Sequence, residues 1–176
     1  PGLVTPDEYR LALSRLCPEP NNSTPAPLQR AFFLLLTYRF GLRGAEATHL
    51  SARNWVELAD APVLIVDHRH IKLKTPGSRR KVTLISPLDA HERAIVDGWF
   101  AFRRGSTDFA DKAKLLVNVD GQSVESDLSD LRTRVTEALR WATNNENIKL
   151  HHARHSLANL VGISLLTESP DGDRLW

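Results

Sequence analysis

Leu28-Gln29-Arg30-Ala31-Phe32-Phe33-Leu34-Leu35-Leu36-Thr37-Tyr38-Arg39-Phe40 is the stretch whose reading decides the fold. Ala31 to Leu36 make it apolar nearly all round, and a helix without a polar face belongs at the centre of a fold, covered on every side. The spacing predicts a helix over about Leu28 to Phe40, with Gly41 in the position of a C-cap glycine. Upstream, Thr5-Pro6-Asp7-Glu8 combines a hydroxyl cap, a proline at the first helical position and acids in the first turn. Tyr9, Ala12, Leu13 and Leu16 then recur at helical spacing. Pro18 to Pro27, rich in proline, reads as a loop. Downstream, Leu42 to Leu50 reads as another short helix.

From Trp55 the pattern turns to extended runs: Val63-Leu64-Ile65-Val66, Ile71-Lys72-Leu73-Lys74 and Lys81-Val82-Thr83-Leu84-Ile85. Thr75 to Arg80, containing Pro76-Gly77-Ser78, should turn the last two into a hairpin. Ser86-Pro87-Leu88-Asp89 has the form of a capped start, and Ala94, Ile95, Trp99 and Phe102 supply the stripe of a helix reaching about Arg104, closed by Gly105. Leu115-Leu116-Val117 is a short apolar piece. A further helix runs from about Ser126 to about Ala142, Asn144 to Asn147 breaks it, and a final helix opens at Leu150 and continues to about Leu166. The fold class is therefore α+β, mostly α, with one small antiparallel three-stranded sheet built around a β-hairpin. No repeat or long linker divides the chain, so residues 1–176 form a single domain.

A chain of 176 residues, 41% hydrophobic and 25% charged, can bury one sizeable core and is neither fibrous nor disordered in composition. The net charge is only +2, and a pI near 9.0 permits a polyanionic partner without requiring one. Cys17 is the single cysteine, which excludes an intrachain disulfide and favours a cytosolic compartment. No apolar run approaches membrane-spanning length. The first residue is Pro1, in keeping with a piece excised from a longer protein.

Chemistry concentrates in Leu150-His151-His152-Ala153-Arg154-His155-Ser156. On a helix, His151 and Arg154 share one face, so an imidazole that can move a proton and a permanently charged guanidinium converge on one target, a combination suited to phosphate. The plainer reading is polar surface. Arg43 follows Gly41-Leu42 at the end of the buried helix, where a cation near the core needs an acid such as Glu46 or an anionic ligand. Lys72, Lys74, Arg79, Arg80 and Lys81 make the hairpin the most basic stretch, either a solvated tip or an element that reaches a nucleic-acid groove. His68 and His70, two apart on a strand, are more often coincidence than a ligand pair, and no cluster has metal-ligand spacing.

Phe40-Gly41-Leu42-Arg43-Gly44-Ala45-Glu46, then Lys74-Thr75 with Arg80-Lys81-Val82-Thr83-Leu84, then His151 to Ser156, resemble the three successive signatures of the tyrosine recombinases, the phage integrase family. The resemblance covers the chain from Thr5 onward. It implies a DNA breaking and rejoining enzyme, without metal or other cofactor, that acts on double-stranded DNA, is cytoplasmic and DNA-associated, and assembles with other protomers as a tetramer in the full-length protein. It also implies roles. Arg43 and Arg154 would clamp the scissile phosphate, His151 would assist proton removal from the nucleophile, and Lys74 would protonate the departing 5′ oxygen. Glu46 and His155 would hold these groups in place, and Lys72, Arg79 and Arg80 would contact DNA.

The chain departs from the family pattern in its tyrosines. Tyr9 and Tyr38 are the only two, both precede Arg43, and neither matches the nucleophile's place. The expectation is a catalytic domain cut on both sides, lacking the nucleophile segment and the N-terminal clamp, inactive alone and monomeric in solution. Trp176 falls near the place of a family His/Trp. The alternative is a non-cleaving, recombinase-derived DNA-binding module serving as regulator or accessory subunit. A helical interaction domain with no nucleic-acid role leaves three cationic motifs unexplained.

Overall fold

The computed structural model describes residues 2–58, 61–66, 80–106, 109–117, 119 and 128–167. Helix α1 (Pro6–Leu16) opens on a reciprocal capping box. Thr5 accepts the Glu8 N–H through its hydroxyl, and the Glu8 carboxylate accepts the Thr5 N–H at 2.7 Å. Helix α2 (Pro25–Tyr38) starts within the proline-rich stretch expected to be a loop. Proline lacks an N–H, and the first-turn N–H groups of a helix have no partner inside it, so Pro25 and Pro27 are tolerated there.

Every residue from Ala31 to Leu36 is fully buried, as its all-round apolar character requires. Helix α2 is packed by α1 and by α3 (Gly44–His49), α4 (Ala90–Arg104), α5 (Ser129–Thr143) and α6 (Leu150–Thr167). Phe32 meets the rings of Trp55, Trp99 and Phe100 at centroid distances of 5.6 to 6.4 Å, offset or edge-on as ring quadrupoles prefer. Truncating a core phenylalanine of this kind to alanine costs about 3–5 kcal/mol. Helix α4 starts on a second capping box, between Asp89 and Glu92.

The sheet has order β1-β2-β3, with β1 (Trp55–Glu57) and β3 (Arg80–Thr83) each antiparallel to the central β2 (Pro62–Val66). Trp55 stands opposite Leu64, and Val66 opposite Arg80. The chain is thus α+β and mostly α, with one three-stranded antiparallel sheet among the described residues. Strand β1 is the member that periodicity did not single out. Three residues are too few to show alternation, and it is held by its pairing with β2 and by Trp55 lying against Phe32, Phe40 and Phe100. Strand β3 stops at Thr83, two residues before the expected Ile85. The expected strand Ile71 to Lys74 and its turn at Pro76-Gly77-Ser78 lie outside the described residues, as do His68 and His70.

Candidate active site

Gly41 sets the geometry of the first arginine. Its φ of +59° is the left-handed conformation that glycine adopts freely, and a Cβ there would stand 2.7 Å from Leu157 Cδ2 on α6. This turn therefore both redirects the chain out of α2 and seats directly on α6. Leu42 is buried, and Arg43 enters α3 with its side chain about half exposed, 54% by area, farther from the core than its place after a buried helix implies.

The acid that receives it is Glu46, whose side chain is only 3% exposed. Its carboxylate reaches back to accept the Arg43 N–H at 2.8 Å and the Arg43 Nη1 at 3.2 Å. Arg80, at the start of β3, approaches as a fork, Nη1 to one carboxylate oxygen at 3.2 Å and Nη2 to the other at 2.9 Å. Arg154 on α6 completes the ring, with Nη1 3.6 Å from Glu46 Oε2. That Nη1 is buried and has no hydrogen-bond partner among the described residues. Burial pushes the Glu46 carboxyl up, but the Arg80 hydrogen bonds, the Arg43 amide and the charges of Arg80 and Arg154 outweigh it and hold it below the usual glutamate value. Burial likewise lowers the Arg154 guanidinium, with Arg43 and Arg80 adding repulsion and Glu46 opposing it. Three guanidiniums thus converge on one carboxylate.

His151 and Arg154 lie on one face of α6, as their spacing requires. His151 is exposed and makes no hydrogen bond among the described residues, so its imidazole is open to the groove. His155 is also exposed and meets His151 edge-on at 5.7 Å. His152 is committed elsewhere: its Nδ1 accepts the Lys149 N–H at 2.9 Å and closes the start of α6. Burial, and after it the neighbouring His151, His155 and Lys149, lower its pKa. Ser156 is buried, accepts the Val4 N–H at 2.7 Å and donates to the His152 carbonyl, tying the N-terminal segment to α6.

Arg43, His151, Arg154 and His155 open on one groove of about 730 Å³, which Arg132 and Lys149 also line. Among the described residues, every charged residue that lines it is a cation.

Among solved structures, the fold has close counterparts. The XerH site-specific recombinase, bound to its difH substrate in a pre-cleavage complex, matches with a TM-score of 0.67 and 17% identity over 93% of this chain and 43% of its own. The XerA recombinase matches with a TM-score of 0.66 and 16% identity over 96% of this chain and 52% of its own. The Tn1549 transposon integrase, in complex with circular intermediate DNA, gives 0.60 and 16% over 96% and 54%. The chain has the tyrosine recombinase fold. It spans about half the length of these recombinases. No protein-family profile matches the sequence, and no curated protein does.

On this recombinase fold, the structure brings together Arg43, Glu46, Arg80, His151, Arg154 and His155. Lys72, Lys74, Arg79 and Trp176 lie outside the described residues. Arg80 carries a specific partner that its place in a basic run does not reveal. Arg132 and Lys149 went unnoticed in the sequence, where they are single cations on amphipathic or loop stretches. The one available signal was the position of Lys149, two residues before His151.

The two tyrosines are built into the core. Tyr9 and Tyr38 stack with centroids 4.0 Å apart, and the Tyr9 hydroxyl donates to the fully buried Glu92 at 2.8 Å. Burial, then the charge and hydrogen bond of Glu92, raise Tyr9 well above the usual phenol value, and burial pushes Tyr38 up to about 12.

Proposed function

We propose that this chain is the phosphate-activating core of a site-specific DNA recombinase or integrase. The observation that carries the reading is the Glu46 cluster: guanidiniums from the cap of α3 and from α6, far apart in sequence, are anchored on one buried carboxylate beside an open imidazole, in a groove whose charged lining among the described residues is all cationic. In the reaction, a phenolic oxygen attacks phosphorus, the new O–P bond forms as the P–O5′ bond breaks, and a proton is delivered to O5′. Arg43 and Arg154 hold the two non-bridging oxygens and stabilise the charge of the pentavalent transition state. His151 takes the proton of the attacking hydroxyl. Lys74 supplies the proton to the leaving O5′. The attacking tyrosine comes from outside these residues, since both tyrosines of the chain are buried and paired. Other protomers join the complex on DNA.

The test is formation of a covalent protein–DNA adduct by the complete protein on its attachment site. Arg154→Ala should slow cleavage about a hundredfold or more, the scale for loss of one preorganised charge-stabilising donor. Cleavage at the wild-type rate removes Arg154 from the mechanism.

A second reading is favoured by the burial of Tyr9 and Tyr38: a module of this fold that binds duplex DNA and never cleaves it. It predicts salt-sensitive duplex binding and no adduct from the complete protein on any substrate.

A further inference from the structure

The catalytic reading uses Arg43, His151, Arg154 and His155 and leaves two further cations of the same groove, Arg132 on α5 and Lys149 just before α6, without a role. Arg132 Nε lies 3.7 Å from the point where a Cβ on Gly44 would stand, so its guanidinium rests against the turn that carries Arg43. Neither side chain makes an ion pair or hydrogen bond among the described residues. The acids of α5 are already taken: Asp130 and Glu137 approach Arg134 at 3.4 and 3.5 Å, and Asp130 also faces Arg30. Arg132 is exposed and lines a groove that no carboxylate of the described residues lines. Holding two such cations beside Arg43 and Arg154 is repulsive unless an anion lies between them.

The groove is also too large for one phosphate group. A DNA strand presents a further charge about every 3.4 Å of helix axis, so a strand seated on Arg43 and Arg154 carries its neighbouring phosphates along the groove. We propose that Arg132 and Lys149 form a second phosphate subsite, which holds the phosphodiester adjacent to the scissile one on the same strand. This rests on the recombinase reading and adds to it a device for register: two phosphates fix the direction of a strand, where one fixes only a point. The contact is to backbone, so it positions without reading sequence.

The probe is a fluorescently labelled mixed-sequence DNA duplex, titrated with the 176-residue chain by anisotropy over a series of salt concentrations. Each lost phosphate contact lowers the slope of log K against log salt by about 0.9, so Arg132→Gln should lower it by about 0.9 and Arg132→Gln/Lys149→Gln by about 1.8. The loss should be the same on unrelated sequences, and Arg132→Lys should keep most of the slope. Lys112→Gln, a cation that does not line the groove, should leave it unchanged. Far-ultraviolet circular dichroism checks that each variant is folded. An unchanged slope in the folded double variant overturns the subsite, and so does an equal drop in Lys112→Gln. If Arg43→Gln and Arg154→Gln lower the slope while the double variant does not, only the subsite falls. If the wild-type chain shows no salt-dependent binding, the subsite falls, and adduct formation by the complete protein decides the recombinase reading separately.

Discussion

Arg80 grips the Glu46 carboxylate with both Nη atoms, at 2.9 and 3.2 Å, and so links the first residue of β3 to the buried acid of α3. The pair joins the sheet to the helix that presents Arg43, and the same carboxylate is 3.6 Å from Arg154 on α6. Arg43 and Arg154 are thus tied to one acid whose side chain is almost wholly shielded from solvent.

Removing the fork should therefore loosen the site before it unfolds the protein. Arg80→Gln leaves Glu46 with the Arg43 amide and two guanidiniums, and a buried acceptor that loses a partner costs about 1–3 kcal/mol. Arg80→Lys restores charge but cannot bridge both oxygens, so it should recover only part of the loss. Urea unfolding monitored by tryptophan fluorescence gives the stability. Equal stabilities for wild type and Arg80→Gln would show that the fork contributes nothing.

The same cluster fixes the sign of the acid response. Glu46 in the folded chain lies below its ordinary value of 4.5, so the unfolded chain binds more protons in this range. Its contribution is present above about 4.5 and is lost as pH falls through the lower folded value. Arg80→Gln removes the largest of the opposing influences, so loss should begin at higher pH. His152 acts earlier. Its folded pKa lies below 6.5, chiefly through burial and then the neighbouring His151, His155 and Lys149, so acidification from 6.5 downward also favours the unfolded chain, and protonation of Nδ1 would also break the bond from the Lys149 N–H. Melting temperature against pH should show two regions of loss. His152→Ala should abolish the upper one, and Glu46→Gln the lower.

Gly41 is the point where backbone and site meet. In Gly41→Ala, a residue with a Cβ is held at φ +59°, which costs about 1–2 kcal/mol, and the new methyl drives into Leu157. Leu157→Ala in the same chain relieves the contact but leaves the backbone strain. The double variant should be less destabilised than the sum of the two single ones, by calorimetry. The single Gly41→Ala variant should also bind duplex DNA more weakly, because α6 carries Arg154 and shifts with Leu157. Unaltered DNA affinity would break the link between this turn and the groove.

How much of this was legible in the sequence follows the range of each interaction. The helices were readable because apolar stripes and caps such as Thr5 with Glu8 act within a turn or two. Arg43, Glu46, His151 and Arg154 were readable for a related reason: each pair sits three residues apart on its own helix. Trp55–Glu57 was not, since its extended form comes from Leu64 and the surrounding rings. The start of α2 was misplaced because prolines that forbid a helix interior are harmless in its first turn. The Arg80–Glu46 fork spans 34 residues, and Arg132 acquires meaning only through the way α5 lies beside the Gly44 turn. Neither leaves a local trace.

The tyrosines give the sharpest division between structural and chemical roles. Tyr9 donates to Glu92, which is fully buried and also faces Arg39 at 3.5 Å, so Tyr9→Phe removes one partner of a buried carboxylate and should cost about 1–3 kcal/mol. Tyr38 stacks on Tyr9, but among the described residues its hydroxyl reaches only the Val4 carbonyl, at 3.4 Å, so Tyr38→Phe should cost less. Both hydroxyls hold their protons at neutral pH, buried away from the groove that carries His151. The complete protein carrying Tyr9→Phe/Tyr38→Phe should therefore lower the melting temperature yet still form the covalent DNA adduct, provided the assay is run well below the variant's transition. Loss of the adduct in a folded double variant would place the nucleophile on one of these two residues and overturn the assignment of both to the core.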